Sequence, residues 1–248
     1  MPAVASLEAF VQAVAGFEVA DLDLVTEPAA LAEAQRSLDD SGLLLLGEVH
    51  GVRENPLLIR ALLQAFGLTS LALEWPDDLA PVLDGFLATG TLADHRLLWF
   101  GDGRITAGHL AVLAERTAAG PLQVILFDGT AGIGWNWSQR DEAMASRILA
   151  SRAAGSGTLV VAGNAHTPTS PTSLGVPMGA CLARERPGVR EIRIDYGGGS
   201  YYNLRPGQFG HNGPQRGQAR LHHRDGALVL DLPAATEALV PQRPWASP

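Results

Sequence analysis

Two short stretches of the sequence carry residues that could do chemistry, Gly47-Glu48-Val49-His50 and Gly163-Asn164-Ala165-His166. Each follows an apolar run, so each predicts a buried strand that ends in a glycine and presents a histidine at its carboxyl end. In open α/β sheets, binding sites form at this edge because the loops that leave the strands converge there. Histidine exchanges protons near neutral pH and, as neutral imidazole, binds metal ions. The two stretches therefore predict a catalytic or metal site.

A third predicted strand ends in a carboxylate, because Glu74-Trp75-Pro76 follows the apolar run 70–73. Glu48 and His50 are two residues apart, which places both on one face at a strand end. A glutamate beside a histidine can fix its tautomer or raise its pKa, the arrangement that makes the histidine a general base. We therefore expect Glu48, His50, Glu74 and His166 to form one cluster. The structural alternative is that Glu48 pairs with an arginine and His50 caps a helix.

Several further side chains could contact a substrate. Arg53 and Arg60 follow His50, and Arg60 could either face the cleft or be a solvated helix residue. Asp141 lies at the start of a predicted helix, where it suits the helix dipole without any other function. The remaining candidates follow three glycines and could line a pocket or belong to an edge strand; they are Tyr201, Tyr202 and Arg205.

Apolar runs alternate with helical patterns along the chain, which predicts an α/β fold with a mostly parallel sheet flanked by helices on both faces. The predicted strands are 42–47, 70–74, 122–128, 158–163 and 190–196, with a final strand at 227–232 that pairs antiparallel at an edge. The glycine-rich segment 197–226 predicts a lid-like loop. We expect one domain over 1–248, made of N-terminal helices (1–41), a core (42–196), this loop, and a last strand and tail (227–248).

Composition excludes several classes of protein. The formal net charge of −8 disfavours a nucleic-acid partner, and no apolar run approaches the roughly 20 residues that cross a membrane. Without a secretory signal pattern, the expected location is the cytoplasm. The single cysteine, Cys181, excludes an internal disulfide. The sequence contains no Walker motif, no GxGxxG after a strand and no GxSxG, which removes nucleotide kinases, dinucleotide enzymes and ordinary serine hydrolases.

Taken in order, five stretches of the chain resemble the erythromycin esterase-like superfamily, which also includes the ChaN-like haem-binding proteins and the Tiki/TraB proteins. They are LLGEVHGVRE (45–54), LALE (71–74), RDEAMA (140–145), GNAH (163–166) and GVPMG (175–179). The resemblance implies an α/β core whose cleft is lined by Glu48, His50, Glu74 and His166. In esterase-like members, a histidine matching His50 is thought to be the base that activates water against a macrolactone ester. The resemblance also adds Arg140 and Asp141 to the candidate substrate-binding residues.

Three functions follow as hypotheses. The first is an esterase-like enzyme acting on a small, natural-product-like molecule, with His50 as general base, Glu48 or Glu74 orienting it, and His166 as second acid/base or electrostatic partner. It would hydrolyse an ester or lactone, or abstract a proton in an elimination or cyclisation, and no cofactor is favoured. The second is a Tiki-like hydrolase in which Glu48, His50, Glu74 and His166 hold Mn, Co, Zn or Fe. The third is a ChaN-like haem- or ligand-binding protein, with Tyr201, Tyr202 or a surface histidine as axial donor. The sequence names neither the substrate nor the oligomeric state.

Overall fold

Strands form where the sequence is continuously apolar, and one such run is buried along its whole length as β3, Leu43–Glu48. The structure is a computed structural model that describes residues 3–129, 136–153, 155–210 and 217–243. The other strands in these ranges are β1 (Ala3–Val4), β2 (Leu24–Thr26), β4 (Ser70–Pro76), β5 (Gln123–Asp128), β6 (Thr158–Gly163), β7 (Arg190–Tyr196), β8 (Gly199–Asn203), β9 (Arg205–Phe209), β10 (Ala219–Arg224), β11 (Ala227–Leu232) and β12 (Val240–Pro241).

Helices alternate with many of the strands along the chain. They are α1 (Leu7–Ala15), α2 (Pro28–Ser41), α3 (Asn55–Ala65), α4 (Ala80–Thr89), α5 (Ala107–Ala119), α6 (Trp137–Ser151) and α7 (Met178–Glu185). Short 3₁₀ turns lie at Asp77–Leu79 and Arg96–Trp99. No helix in the described ranges is both long enough and apolar enough to span a bilayer.

Eight strands make one sheet, in the order β2-β10-β11-β7-β3-β6-β4-β5. The six strands from β11 to β5 are parallel, whereas β10 pairs antiparallel with β11, and β2 pairs parallel with β10. The predicted fold class, a mostly parallel sheet flanked by helices, is confirmed. The prediction that 227–232 forms an antiparallel edge strand is wrong in part. This strand, β11, lies inside the sheet because 219–224, predicted as loop, forms the next strand.

The two faces of the sheet bury separate cores, because side chains alternate along each strand. Leu44 and Leu46 of β3 belong to the core that packs against α2, α3 and α5. Leu43 and Leu45 point to the other face, where Ile148 of α6 and the residues of α7 cover them. Burying one such leucine stabilises the fold by about 1.5–3 kcal/mol. Both cores hold β3 in place, so the residues at its end have a rigid support.

The segment predicted as a lid-like loop, 197–226, is mostly ordered strand. β8 and β9 form an antiparallel hairpin that turns at Leu204, whose φ is +58°. Phe209 of the hairpin stacks on Tyr196 at the end of β7, with ring centroids 4.5 Å apart. The glycines at 197–199 hid this pattern because glycine is depleted in strands. Residues 211–216 of the predicted loop and the tail residues 244–248 lie outside the described residues.

Candidate active site

Four neighbouring strands, β3, β6, β4 and β5, end at the same edge of the sheet. Their register pairs Glu48 with Gly163 and Pro76 with Asp128. The pairing of β4 with β5 is irregular between Leu73 and Pro76, and Glu74 lies in this irregular part. The backbone N–H of Gly163 donates to Glu74 Oε2 at 2.8 Å, which fixes the carboxylate next to the end of β6. The predicted cluster at the carboxyl edge therefore has a physical origin in the parallel register.

His50 follows β3 and lies between two carboxylates. Its Nδ1 is 3.0 Å from Glu48 Oε1, and its Nε2 is 3.6 Å from Glu74 Oε2. Because an ionised carboxylate only accepts hydrogen bonds, Nδ1 carries the proton. Burial of the ring lowers the pKa of His50, but the hydrogen bond to Glu48 and the negative charges of Glu74 and Glu48 outweigh burial and raise the pKa. Glu48 thus pairs with His50 rather than with an arginine.

The chain turns directly after His50 through Gly51, whose φ is +75°. A Cβ at this position would lie 1.8 Å from the carbonyl oxygen of Tyr202, so the turn requires glycine. The Gly51 N–H donates to Gly103 O at 3.0 Å, and the Gly51 carbonyl accepts from Tyr202 and Ala238. The His50 loop is therefore held by backbone bonds from three distant segments.

Glu74 is the centre of the cluster and is 4% exposed. Burial raises its pKa, but nearby positive groups outweigh burial and lower the pKa to about 2. The groups around its carboxylate that lower its pKa are His50, His166, Arg104 and Arg140. Glu74 is therefore an anion at neutral pH, and it suits charge stabilisation rather than proton donation.

His166 is held from two sides by the first turn of α6. Its Nδ1 lies 2.9 and 3.0 Å from the two carboxylate oxygens of Asp141, a fully buried side chain that also accepts from the Met178 N–H at 2.7 Å. Arg140 Nη1 lies 3.2 Å from His166 Nε2. A guanidinium only donates, so Nε2 accepts and Nδ1 carries the proton toward Asp141. His166 is thus fixed in one tautomer, and its second nitrogen is already occupied.

Three residues that the sequence analysis did not name complete the cluster: Asp128, Arg104 and Asp102. Arg140 binds Asp128 at two points, from Nε to Oδ1 at 3.1 Å and from Nη2 to Oδ2 at 3.0 Å. Arg104 Nη1 also donates to Asp128 Oδ2, and its Nε donates to Asp102 Oδ2 at 2.8 Å. Asp128 ends an apolar strand as Glu48 does, so this signal was present in the sequence. Arg104 and Asp102 come from the segment before α5 and carry no comparable signal.

The other predicted substrate-binding residues lie in different surroundings. Arg60 forms ion pairs with Glu115 and Asp21, linking α3 to α5. The guanidinium of Arg53 lies over the Phe17 ring, 5.3 Å from its centroid. Within the described residues, neither arginine ion-pairs with the cluster. The interpretation of Arg60 as a cleft residue is therefore wrong, because its charge is already paired elsewhere.

The hairpin residues also differ from expectation. Tyr202 is 7% exposed, packs against Ala238 and Val240, and donates from its hydroxyl to Gln242. Tyr202 therefore supports the fold instead of lining an open pocket. Tyr201 packs against Phe209 and, with Arg205, borders a hollow on the hairpin of about 530 Å³. The substrate-binding roles of Tyr201 and Arg205 stay predictions.

The predicted metal ligands do not fit a metal ion in this arrangement. Among the described residues, no three His, Cys, Asp or Glu side chains are placed to hold one. The N–H groups of Arg140 already bind Glu74 Oε1 at 3.0 Å and His166 Nε2. A metal ion held by Glu74 and His166 would have to bind these same two atoms. Metal dependence itself, like the absence of haem, stays untested.

The fold and this edge define an α/β domain with a buried cluster of histidines, carboxylates and arginines. No protein-family model matches the sequence, and no curated protein is significantly similar to it. The crystal structure of a succinoglycan biosynthesis protein shares the fold, with a TM-score of 0.56 and 10% identity over 94% of this chain and 98% of that one. A protein from Bacillus cereus is similar, with a TM-score of 0.54 and 10% identity over 96% of this chain and 100% of that one.

A MARTX toxin effector domain from Vibrio vulnificus also matches, with a TM-score of 0.47 and 17% identity over 76% of this chain. The present chain covers only 38% of that effector chain, and 39% of two other bacterial toxin chains. At these identities the comparisons concern the fold alone. Membership of the erythromycin esterase-like superfamily stays a prediction from the motifs.

Proposed function

We propose that the protein is a hydrolase that cleaves an ester or lactone in a small molecule, with His50 as the group that moves the proton. The observation that carries this proposal is the contrast between the two histidines. Arg140 occupies Nε2 of His166, whereas Nε2 of His50 is 3.6 Å from its nearest carboxylate oxygen, longer than an N–H···O hydrogen bond. His50 is thus the histidine with a nitrogen available to a reactant.

In this reaction, His50 Nε2 removes a proton from a water molecule as the water oxygen attacks the carbonyl carbon. The resulting imidazolium lies between Glu48 and Glu74, and both charges stabilise it. When the tetrahedral intermediate collapses, the bond between carbon and the leaving oxygen breaks, and His50 returns the proton to that oxygen. The raised pKa of His50 makes the ring a stronger base for the first step.

Arg140 is the residue best suited to stabilise the oxyanion of the intermediate. Its side chain is 32% exposed, the largest value among the groups that touch Glu74. Four of its five N–H groups are bound to Asp128, Glu74 and His166, which leaves one for a substrate oxygen. A donor held rigidly in this way costs no reorganisation during the reaction. The same base could instead abstract a proton in an elimination or cyclisation, and product analysis separates these outcomes from hydrolysis.

The test is hydrolysis of a panel of p-nitrophenyl esters and lactones by the wild-type protein, His50→Gln and His222→Gln. His222 is a matched control because its Nε2 lies 2.9 Å from Asp231 Oδ2, in a histidine–carboxylate pair between β10 and β11. We expect wild type and His222→Gln to hydrolyse the same substrates, and His50→Gln to be slower by about 10²–10⁴-fold. Full activity of His50→Gln would contradict the proposal.

A further inference from the structure

The first turn of α6 presents three side chains to the ring of His166. Trp137, Arg140 and Asp141 stand at positions i, i+3 and i+4, which lie on one face of a helix. Asp141 binds one ring nitrogen and Arg140 the other. Trp137 lies flat against the ring, with centroids 4.4 Å apart and an angle of 9° between the planes. Two nitrogens and one face of the imidazole are therefore held by a single helical turn.

This turn is itself fixed at both sides. Asn136 and Gln139 form a reciprocal capping box, with both hydrogen bonds at 3.0 Å. Ser138 Oγ accepts from the Val176 N–H at 2.9 Å, which ties the turn to the segment between His166 and α7. The position of the Trp137 ring is thus set by a rigid helix start and not by a loop.

Packing alone does not account for an indole at position 137. Its Nε1 is buried and has no hydrogen-bond partner within the described residues. A buried donor without a partner destabilises a fold, and a phenylalanine would avoid that cost. The indole offers a larger and more electron-rich face than phenylalanine, and such a face attracts an imidazole ring, above all when the ring carries charge.

We propose that Trp137 is a positioning residue for His166. Its stack fixes the plane of the imidazole so that Nε2 accepts from Arg140, the proposed oxyanion donor. Trp137 thus acts on the reaction through His166 and Arg140 without touching substrate. The effect on turnover rests on the proposed function of the cluster. The positioning of the His166 ring does not rest on that function, so the positioning and the proposed function can be refuted separately.

The first experiment is NMR of the histidine C–H signals in wild type, Trp137→Leu and Trp137→Phe, with His166→Gln to assign the signals. Protons over an indole face are shielded, so we expect the His166 signals of the wild type to lie upfield of those of His222. They should move downfield in Trp137→Leu and only partly so in Trp137→Phe, while His222 stays unchanged. His166 signals without an upfield shift in wild type, or with the same shift in Trp137→Leu, would overturn the proposal whatever the activity.

The second experiment measures kcat and KM on the best substrate of the wild type. Displacing a positioned group by about 1 Å can lower the rate by about 10²-fold. Trp137→Leu should therefore lose about 10-fold to 10²-fold in kcat, with KM nearly unchanged. Trp137→Phe should recover most of kcat, because its ring can still stack on His166. If the NMR shift is lost and kcat is unaffected, the ring position does not matter for turnover and the role is wrong. A protein without hydrolase activity would refute the proposed function, and the NMR result would still decide whether the indole stacks on His166.

Discussion

Replacing Glu74 by glutamine should lower the free energy of unfolding by about 3 kcal/mol at pH 7. The pKa of this carboxyl falls from 4.5 to about 2 in the folded protein, and each unit of pKa corresponds to about 1.36 kcal/mol. Glu74 is 4% exposed, so solvent screens the interaction little. The value also agrees with the cost of about 3–5 kcal/mol for breaking a buried ion pair by removing one partner. For a chain of this size, 3 kcal/mol corresponds to a decrease of about 6–12 °C in Tm.

The pH dependence gives this prediction its sign. A carboxyl whose pKa is lowered by folding stabilises the protein above its unfolded pKa of 4.5, and this stabilisation is lost as the pH falls from 4.5 toward 2. The difference between wild type and Glu74→Gln in urea denaturation should therefore be full at pH 7 and shrink below pH 4.5. Asp21→Asn is the control, because Asp21 pairs with Arg60 but its side chain is 87% exposed, and such pairs contribute about 0–1 kcal/mol. A Glu74→Gln variant as stable as wild type, or a difference that is the same at pH 3 and pH 7, would refute the reasoning.

Three further predictions concern the same cluster. Arg140→Lys should lower kcat by about 10²-fold, because a lysine cannot bind Asp128 at two points while donating to His166. Arg147 lies on the same helix as Arg140 and pairs with Asp77, so Arg147→Lys is the control and should keep activity. Equal rates for the two variants would contradict the role of Arg140. Gly163→Ala should slow turnover by about 10²-fold with little change in Tm, because the added Cβ would lie 2.9 Å from His50 Nε2. The control, Gly85→Ala, should be as active as wild type because its Cβ meets nothing within 4 Å. A fully active Gly163→Ala variant would count against the position of His50. Activity should survive dialysis against a strong chelator, with metal content measured in the same samples; loss of both, restored by Mn²⁺, Co²⁺ or Zn²⁺, would favour the metal-dependent hydrolase.

The parts of the site that could be predicted from the sequence are those that follow from strand register. Glu48, Glu74 and His166 lie at or just after the ends of apolar runs, and parallel strands bring such ends together. The same logic applied to Asp128, at the end of the run 123–128, would have found a third carboxylate at a strand end. Local patterns thus located the cluster because each signal lies within a few residues of a strand end.

The residues that could not be predicted depend on contacts between distant segments. The local pattern gives Asp141 only a helix-dipole role, and it became a candidate through the resemblance alone. Its full burial comes with its contact to His166, which follows β6 and lies 25 positions further on. Arg104 reaches the cluster from a segment without regular secondary structure, so no spacing rule indicates it. The hairpin over 199–209 was predicted as a lid because its glycines and Pro206 weaken the strand pattern, while its packing on Tyr196 comes from another element.

The most direct test of the role of His50 compares its NMR titration with the pH dependence of kcat/KM, which reports the free enzyme. The two carboxylates should place the pKa of His50 above its usual value of 6.5, and kcat/KM should rise with pH through the same midpoint as the base form appears. Glu48→Gln removes one of these carboxylates, so it should lower both midpoints together. If Glu48→Gln lowers the NMR pKa of His50 but leaves the pH midpoint of kcat/KM unchanged, another group transfers the proton.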